Sequence, residues 1–304
     1  MDRIEAMTVF VAAADEGSLS GAGRRLRMPL ASVSRKLADL ERRLGTRLMT
    51  RTTRQLTLTD AGRDYLMACR EILDRVDEAE RTAAGVHASP RGELIVAAPL
   101  VFGRLHVLPV IAAYLADHRD VNVRLLLSDR NANLLEEHID VAVRIGPLPD
   151  SGLTARRVGS ITRVVCASPA YLKRHGAPAT PDELRDHQCV TFEGLMSAAA
   201  WSFRGPHGDR RVPIRSRLVV NTADGVIDAA LRGVGITRVL SYQVADLVAK
   251  GSLKRLLIAY EPEPVPVSLL YARQGRPPAK TRAFLDLAAA RLASAMASAG
   301  LRSV

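Results

Sequence analysis

The side chains of this 304-residue sequence best suited to chemistry are guanidinium groups, and the chemistry they suggest is recognition of phosphate rather than bond making. Ten Lys/Arg face only Asp39 and Glu41 between Arg24 and Arg54, a net +8 in 31 residues of a chain whose total is +11. Arg presents a planar fork of donors that matches a phosphate or a base edge, and a duplex presents a dense line of phosphates to such a block. Residues 59–88 are acidic in balance, at −3, and residues 89–304 are basic again, at +9. A pI near 10.2 therefore calls for an anionic partner without separating nucleic acid from a lipid surface. Only the local density of Arg24 to Arg54 points to a face.

Other chemistries find little support. No P-loop is present, and Gly233-Val234-Gly235 lacks the following glycine of a dinucleotide turn. There is no Gly-x-Ser-x-Gly elbow. The seven His show no metal-ligand pairs, and Cys69, Cys166 and Cys189 are odd in number and widely spaced, fitting neither a disulfide framework nor a zinc pattern. No nucleophile, base and orienting group can be named together, so no enzyme activity, cofactor or metal is expected.

Helical periodicity must position the basic block. Met7, Phe10, Val11 and Ala14 share one helix face. Gly17 stops that helix, and Ser18 or Ser20 can cap a short one, Gly21 to Leu26, whose small residues suit a close crossing. Pro29 suits the first turn of a third helix, in which Val33, Leu37, Leu40 and Leu44 keep an apolar stripe to Gly45. Its other face carries Ala31, Ser32, Arg35, Lys36, Asp39 and Arg42. This is a helix-turn-helix layout. A hairpin with a basic tip follows, a wing on which Arg51 and Arg54 can reach backbone or minor groove and Thr52 and Thr53 can bond phosphate. Beyond it Tyr65, Cys69, Ile72, Val76, Ala79, Ala83 and Val86 alternate at spacings of four and three among charged residues, a heptad seam suited to a two-chain coiled coil. Ser89-Pro90-Arg91-Gly92 breaks this helix.

FVAAADEGSLSGAGRRL and VSRKLADLERRLGTRLMTRTTRQLTLTDAG resemble the LysR-type family of bacterial transcriptional regulators. The serine-arginine pair before the leucine-acid-leucine-glutamate run, the Leu-Gly-x-x-Leu step and the Thr-x-Ala-Gly close carry the likeness. The family often has Ser-Gln-Pro-Ala where this chain has Pro29-Leu30-Ala31-Ser32, a difference that bears on base contacts at the helix start and not on the fold. The resemblance implies a regulator that binds double-stranded DNA as a homodimer or homotetramer. By position it makes Ala31, Ser32 and Arg35 the base-edge readers, and Lys36, Arg51, Thr52, Thr53 and Arg54 further DNA contacts.

The rest of the chain alternates strand and helix, which implies a mainly parallel sheet covered on both faces. The expected organisation is a winged helix-turn-helix over 1–58, a dimerising linker helix over 59–89 and an α/β effector-binding domain over 90–304. That domain has the two-lobed form of periplasmic binding proteins, with lobe I at 92–163 plus 267–304 and lobe II at 164–266. A ligand in the cleft would meet strand ends and helix N-termini, which favour anions, so a carboxylate is the expected effector. The resemblance places Pro99, Leu100, Val101, Ser128, Asp129 and Arg144 of lobe I around it, with Trp201, Phe203, Asn221, Thr222 and Thr237 of lobe II. Apolar runs look too short to span a membrane, and MDRIEAMTVF lacks a signal-peptide layout, so a cytoplasmic protein without a membrane partner is expected. The competing reading is a solute-binding or enzymatic α/β domain whose basic N-terminus is incidental.

Overall fold

The structure is a computed structural model. It describes residues 2–51, 56–83, 89–129, 134, 139–148, 152–192, 200–205, 208–272 and 277–300. The chain divides into two compact units, Met1–Ser89 and Pro90–Val304.

In the first unit α1 (Arg3–Asp15), α2 (Leu19–Leu26) and α3 (Leu30–Leu44) precede a two-stranded wing, β1 (Met49–Arg51) and β2 (Leu56–Leu58), and a long helix, α4 (Asp60–Ala83). The caps follow the sequence. Asp2 accepts from the Ile4 N–H and Ser18 from the Gly21 N–H, and Gly45 ends α3 in the left-handed region. Pro29 sits one position before α3, as its N-cap, rather than inside its first turn. Ala6, Val9, Phe10, Ala22, Val33, Leu37 and Leu40 form the core with Leu48, Met49, Leu66 and Cys69. Leu44 departs from the expected stripe and is 41% exposed. The first turn of α4 touches the wing so closely that a Cβ on Gly62 would lie 1.9 Å from the Leu48 carbonyl oxygen.

The heptad seam divides. Tyr65 and Cys69 pack into the core of their own unit, Tyr65 with its ring 5.6 Å from Phe10. Ile72 and Ala79 are exposed and Val76 half-buried. Only the later part of the seam is open to a partner, and Val86 lies outside the described residues.

The second unit holds two five-stranded sheets. The first has the order β4-β3-β5-β14-β6, from β3 (Gly92–Ala98), β4 (Val121–Leu127), β5 (Val141–Ile145), β6 (Leu153–Ile161) and β14 (Val265–Ala272). The second has the order β11-β8-β12-β7-β13, from β7 (Arg163–Ala167), β8 (Cys189–Phe192), β11 (Ser216–Val220), β12 (Ile236–Leu240) and β13 (Lys254–Leu256). The chain crosses between sheets at Thr162 and returns after Leu256. A separate hairpin pairs β9 (Ala200–Gly205) with β10 (Gly208–Pro213). The sheets are mixed: β3 pairs parallel with β4 and β5, whereas β14 runs antiparallel to β5 and β6.

The helices are α5 (Leu100–Phe102), α6 (Leu108–Asp117), α7 (Pro169–His175), α8 (Ala223–Leu231), α9 (Ser241–Ala249) and α10 (Ala279–Gly300). A π-helical turn, Gly103–Val107, joins α5 to α6. Leu100–Asp117 is, contrary to the sequence expectation, long and apolar enough by composition to cross a membrane. Here it is a core helix: Val101, Phe102, Val107, Val110, Ile111 and Tyr114 bury one face with Leu94, Val96 and Phe284, and Tyr114 donates its hydroxyl to the Lys280 carbonyl at 2.8 Å.

Candidate functional site

Burial of Val33, Leu37 and Leu40 fixes the rotation of α3, and thereby its outer face. That face presents Leu30, Ala31, Ser34, Arg35 and Ala38 to solvent, with Ser32 half-buried. Arg35 has no ion-pair partner among the described residues, and the same holds for Arg24, Arg27, Arg43 and Arg47 around it. Other charges of the block are engaged. Lys36 pairs with Glu5 at 2.5 Å, Arg25 with Asp15 at 2.9 Å and Arg42 with Asp39 at 2.7 Å. Glu41 is structural, for one carboxylate oxygen accepts from the Leu48 and Met49 N–H groups at 2.8 and 3.1 Å and ties the wing to α3. The wing strands join through Thr50 and Thr57, whose hydroxyls lie 2.8 Å apart.

The second unit contains an open cleft between its sheets, lined by Pro99, Asp129, Ile145, Arg163, Phe192, Leu240, Tyr242 and Gln243. Chain topology assembles it. Pro99 and Asp129 follow β3 and β4, Arg163 opens β7, Phe192 ends β8, and Leu240 to Gln243 lead from β12 into α9. Asp129 accepts the Leu100 N–H at 3.1 Å through Oδ1 and so caps the helix that starts there, while its buried Oδ2 finds no partner. Burial, and secondarily Asp224, raise its carboxyl above the ordinary range against the pull of the Leu100 N–H. Arg163 is held below the usual guanidinium range by burial alone. Behind it on the same sheet face stands Arg238, pushed down to about 9 by burial and by the charge of Arg163. Its guanidinium lies 5.3 Å over the Trp201 ring and donates to the Ser202 carbonyl.

Tyr242 of the cavity wall belongs to an aromatic trio with Phe102 and His106. The π turn sets His106 4.9 Å from Phe102 and 5.4 Å from Tyr242, and Tyr242 meets Phe102 edge-on at 5.4 Å. Gln243 accepts the Leu240 N–H at 2.9 Å and donates to the Tyr242 hydroxyl at 3.4 Å. Burial lowers the basicity of His106, whose Nε2 is enclosed without a partner.

Two family models match the chain. The bacterial regulatory helix-turn-helix protein, lysR family, covers residues 4–63, and the LysR substrate binding domain covers residues 87–293. This chain belongs to the LysR family of bacterial transcriptional regulators. The HTH-type transcriptional regulator CrgA of Neisseria meningitidis serogroup B is 34% identical over 286 residues, spanning 93% of this chain and 94% of that protein. An uncharacterized HTH-type transcriptional regulator of Haemophilus influenzae is 30% identical over 280 residues, spanning 92% and 97%. The solved structure of CrgA superposes with a TM-score of 0.61 at 32% identity, covering 96% of this chain and 99% of that one. The full-length Vibrio cholerae virulence activator AphB does so at 0.60 and 26%, covering 94% and 98%.

In this LysR-type regulator the residues expected from sequence fall in different places. Ala31 and Arg35 stand exposed on α3, Ser32 is partly covered, and Lys36 is tied to Glu5. Arg51 ends β1, and Thr52, Thr53 and Arg54 lie outside the described residues. Around the cavity, Pro99 and Asp129 are on the wall, and Leu100 contributes its N–H to Asp129. Val101 is instead a core residue of the first sheet. Ser128 is exposed beside Asp129, and alternation along β5 turns Arg144 to the face opposite Ile145, which lines the cavity. Trp201 and Phe203 are corrected to core: both are 2% exposed and pack with Val165, Tyr171 and Ile236. Asn221 is exposed, and the Thr222 hydroxyl caps α8. Thr237 is fully buried in β12 and does not reach the cavity wall.

Sequence reasoning missed Ser34 on α3, and Arg163, Tyr242 and Gln243 at the cavity. The spacing of α3 could have found Ser34, which lies between the exposed Ala31 and Ala38. Arg163 carried one signal, a lone cation opening an otherwise apolar strand.

Proposed function

We propose that this regulator reads a specific operator with the outer face of α3 and adjusts its hold on DNA when a small anionic molecule, a carboxylate, occupies the cleft of the second unit. The observation that supports the reading most is the contrast in partnering on α3. Arg35 is exposed and without an ion pair among the described residues, whereas its neighbour Lys36 is tied to Glu5. A guanidinium at the N-terminal half of a reading helix is placed for a base edge. For the cleft, the support is Arg163, half-buried on the wall with no acceptor among the described residues.

Residues 1–58 act as the DNA-binding head, 59–89 as the linker and 90–304 as the effector domain. Two copies pair through the solvent-facing Ile72, Val76 and Ala79 of α4, as a homodimer or a dimer of such dimers, so that two heads address half-sites about 34 Å apart. Work on chromosomal DNA places the protein in the cytoplasm. Ligand binding shifts the two lobes, and a coupling of ~1–3 kcal/mol changes operator occupancy several-fold.

The test is binding of full-length protein to genomic fragments over a salt series, with and without carboxylates. With Z phosphates engaged, log affinity falls against log salt with a slope of about −0.9Z. Retained fragments share a motif, and a carboxylate that binds changes their affinity. Failure to retain any duplex at low salt overturns the first half of the reading, and carboxylate-independent affinity overturns the second.

A further inference from the structure

The cleft wall carries two charged side chains among the described residues, Asp129 just after β4 of the first sheet and Arg163 at the start of β7 of the second. They do not form an ion pair with each other, so opposite charges face one cavity without cancelling. Neither is satisfied by the protein among the described residues. Asp129 Oδ2 is buried with no donor there, although Oδ1 is held by the Leu100 N–H. Arg163, half-buried, has no acceptor among the described residues, and the charge behind it is another guanidinium, Arg238, which is 7% exposed and whose Nε is buried with no partner among them. A buried polar group left unpaired is costly, and a charged one more so. The rest of the wall is largely apolar, through Pro99, Ile145, Phe192 and Leu240.

We infer that the effector is a small amphoteric acid: its carboxylate docks on Arg163, a neighbouring hydroxyl or ammonium group donates to Asp129 Oδ2, and a short apolar body fills the space between Ile145 and Phe192. This rests on the reading of the cleft as the effector site and goes beyond it in naming what else the ligand must carry. A plain carboxylate would satisfy Arg163 and bring a second negative charge toward a carboxylate oxygen that has no donor. A plain amine would satisfy Asp129 and leave two guanidinium groups repelling each other. A molecule with both groups answers both walls, and because the groups sit on different sheets it also bridges them. The raised carboxyl of Asp129 agrees with an oxygen that lacks its donor.

The test uses full-length protein and four probes of the same carbon count: butyrate, α-hydroxybutyrate, α-aminobutyrate and butylamine, at constant ionic strength. Binding is followed by calorimetry and by fluorescence of Trp201, the single tryptophan, which lies beneath Arg238. One or both α-substituted acids should bind about tenfold or more tighter than butyrate, the yield of one charge-assisted hydrogen bond, and butylamine weakest. The tighter of the two distinguishes hydroxyl from ammonium. Arg163→Ala should weaken all three acids, with Arg163→Gln as a second variant should the first fold poorly. Asp129→Asn keeps the bond to Leu100 and should erase the preference among the acids. Equal binding of butyrate, a preference that survives Asp129→Asn, or no saturable binding by any acid overturns the inference. Loss of donor preference with retained dependence on Arg163 leaves the cleft reading standing. Acid binding that is indifferent to both Arg163 variants overturns the cleft reading as well.

Discussion

On α3 Arg35, the proposed reader of base edges, stands exposed; on the cleft wall Arg163 is half-buried with a second arginine behind it. The two faces therefore work at different ranges. Exposed charge around Arg35 is screened by salt and acts on a polyanion through many weak contacts. Buried charge at Arg163 is scarcely screened, so one small ligand that satisfies it gains much from few contacts. A head for a polymer can expose its charge at little cost, whereas a pocket for a small molecule must hold unmet charge inside the fold.

The sharpest test of where core ends and pocket begins is Trp201. It packs with Phe203, Val165 and Ile236 and supports Arg238 from below. Trp201→Ala should destabilise the second unit by ~3–5 kcal/mol, as large-to-small changes in a core do, and the first unit should keep its own unfolding transition. Thermal or urea melts followed by circular dichroism measure this. An unchanged melt combined with lost ligand binding would return Trp201 to the pocket.

This contrast also explains what the sequence showed. The rotation of α3 was legible because Val33, Leu37 and Leu40 repeat at helical spacing within one element. The cleft was expected only in part, at Pro99 and Asp129, because Arg163, Phe192 and Tyr242 join them only once two sheets with crossing connections are assembled. Trp201 and Phe203 were placed in the cleft by the family resemblance, yet they belong to a hairpin whose outward positions hold Arg204 and Arg211. That alternation was the missed signal of half-buried strands. Tyr65 and Cys69 fitted a heptad seam and equally fitted a face packed on α1. Spacing records that a helix side is buried, and not whether the neighbour is its own chain or another.

Within the head, Arg35 and Lys36 are adjacent and differ in partnering. Arg35→Ala should relax base preference at one operator position by ~1–3 kcal/mol. Lys36→Ala should change affinity on all sequences alike and by less, since its charge is already shared with Glu5; an exposed pair of this kind contributes ~0.2–1 kcal/mol. Competition binding on a randomised operator library separates the two. Uniform loss for Arg35→Ala would move it to the backbone.

A smaller effect is expected at Leu30, which opens α3 with 52% of its surface exposed where the family often carries a polar residue. A large apolar side chain on a reading face is suited to a thymine methyl. Leu30→Ala should lower affinity for a thymine-containing operator by about 0.8 kcal/mol, the worth of one buried carbon. Replacing that thymine with uracil should cost the wild type the same and the variant nothing. A uracil effect that is equal in both proteins would remove Leu30 from the contact.

The smallest change follows from His106, enclosed between Phe102 and Tyr242 beside the cleft. Burial lowers its pKa in the folded state from 6.5. The unfolded chain therefore takes up the proton first, and folded-state stability is lost as pH falls through 6.5 toward the folded value. His106→Phe keeps the ring contacts and removes the titration, so its stability should change less than that of the wild type between neutral and mildly acidic pH. Melts of both proteins across that range decide it. Parallel pH profiles would mean that His106 takes its proton without leaving the fold.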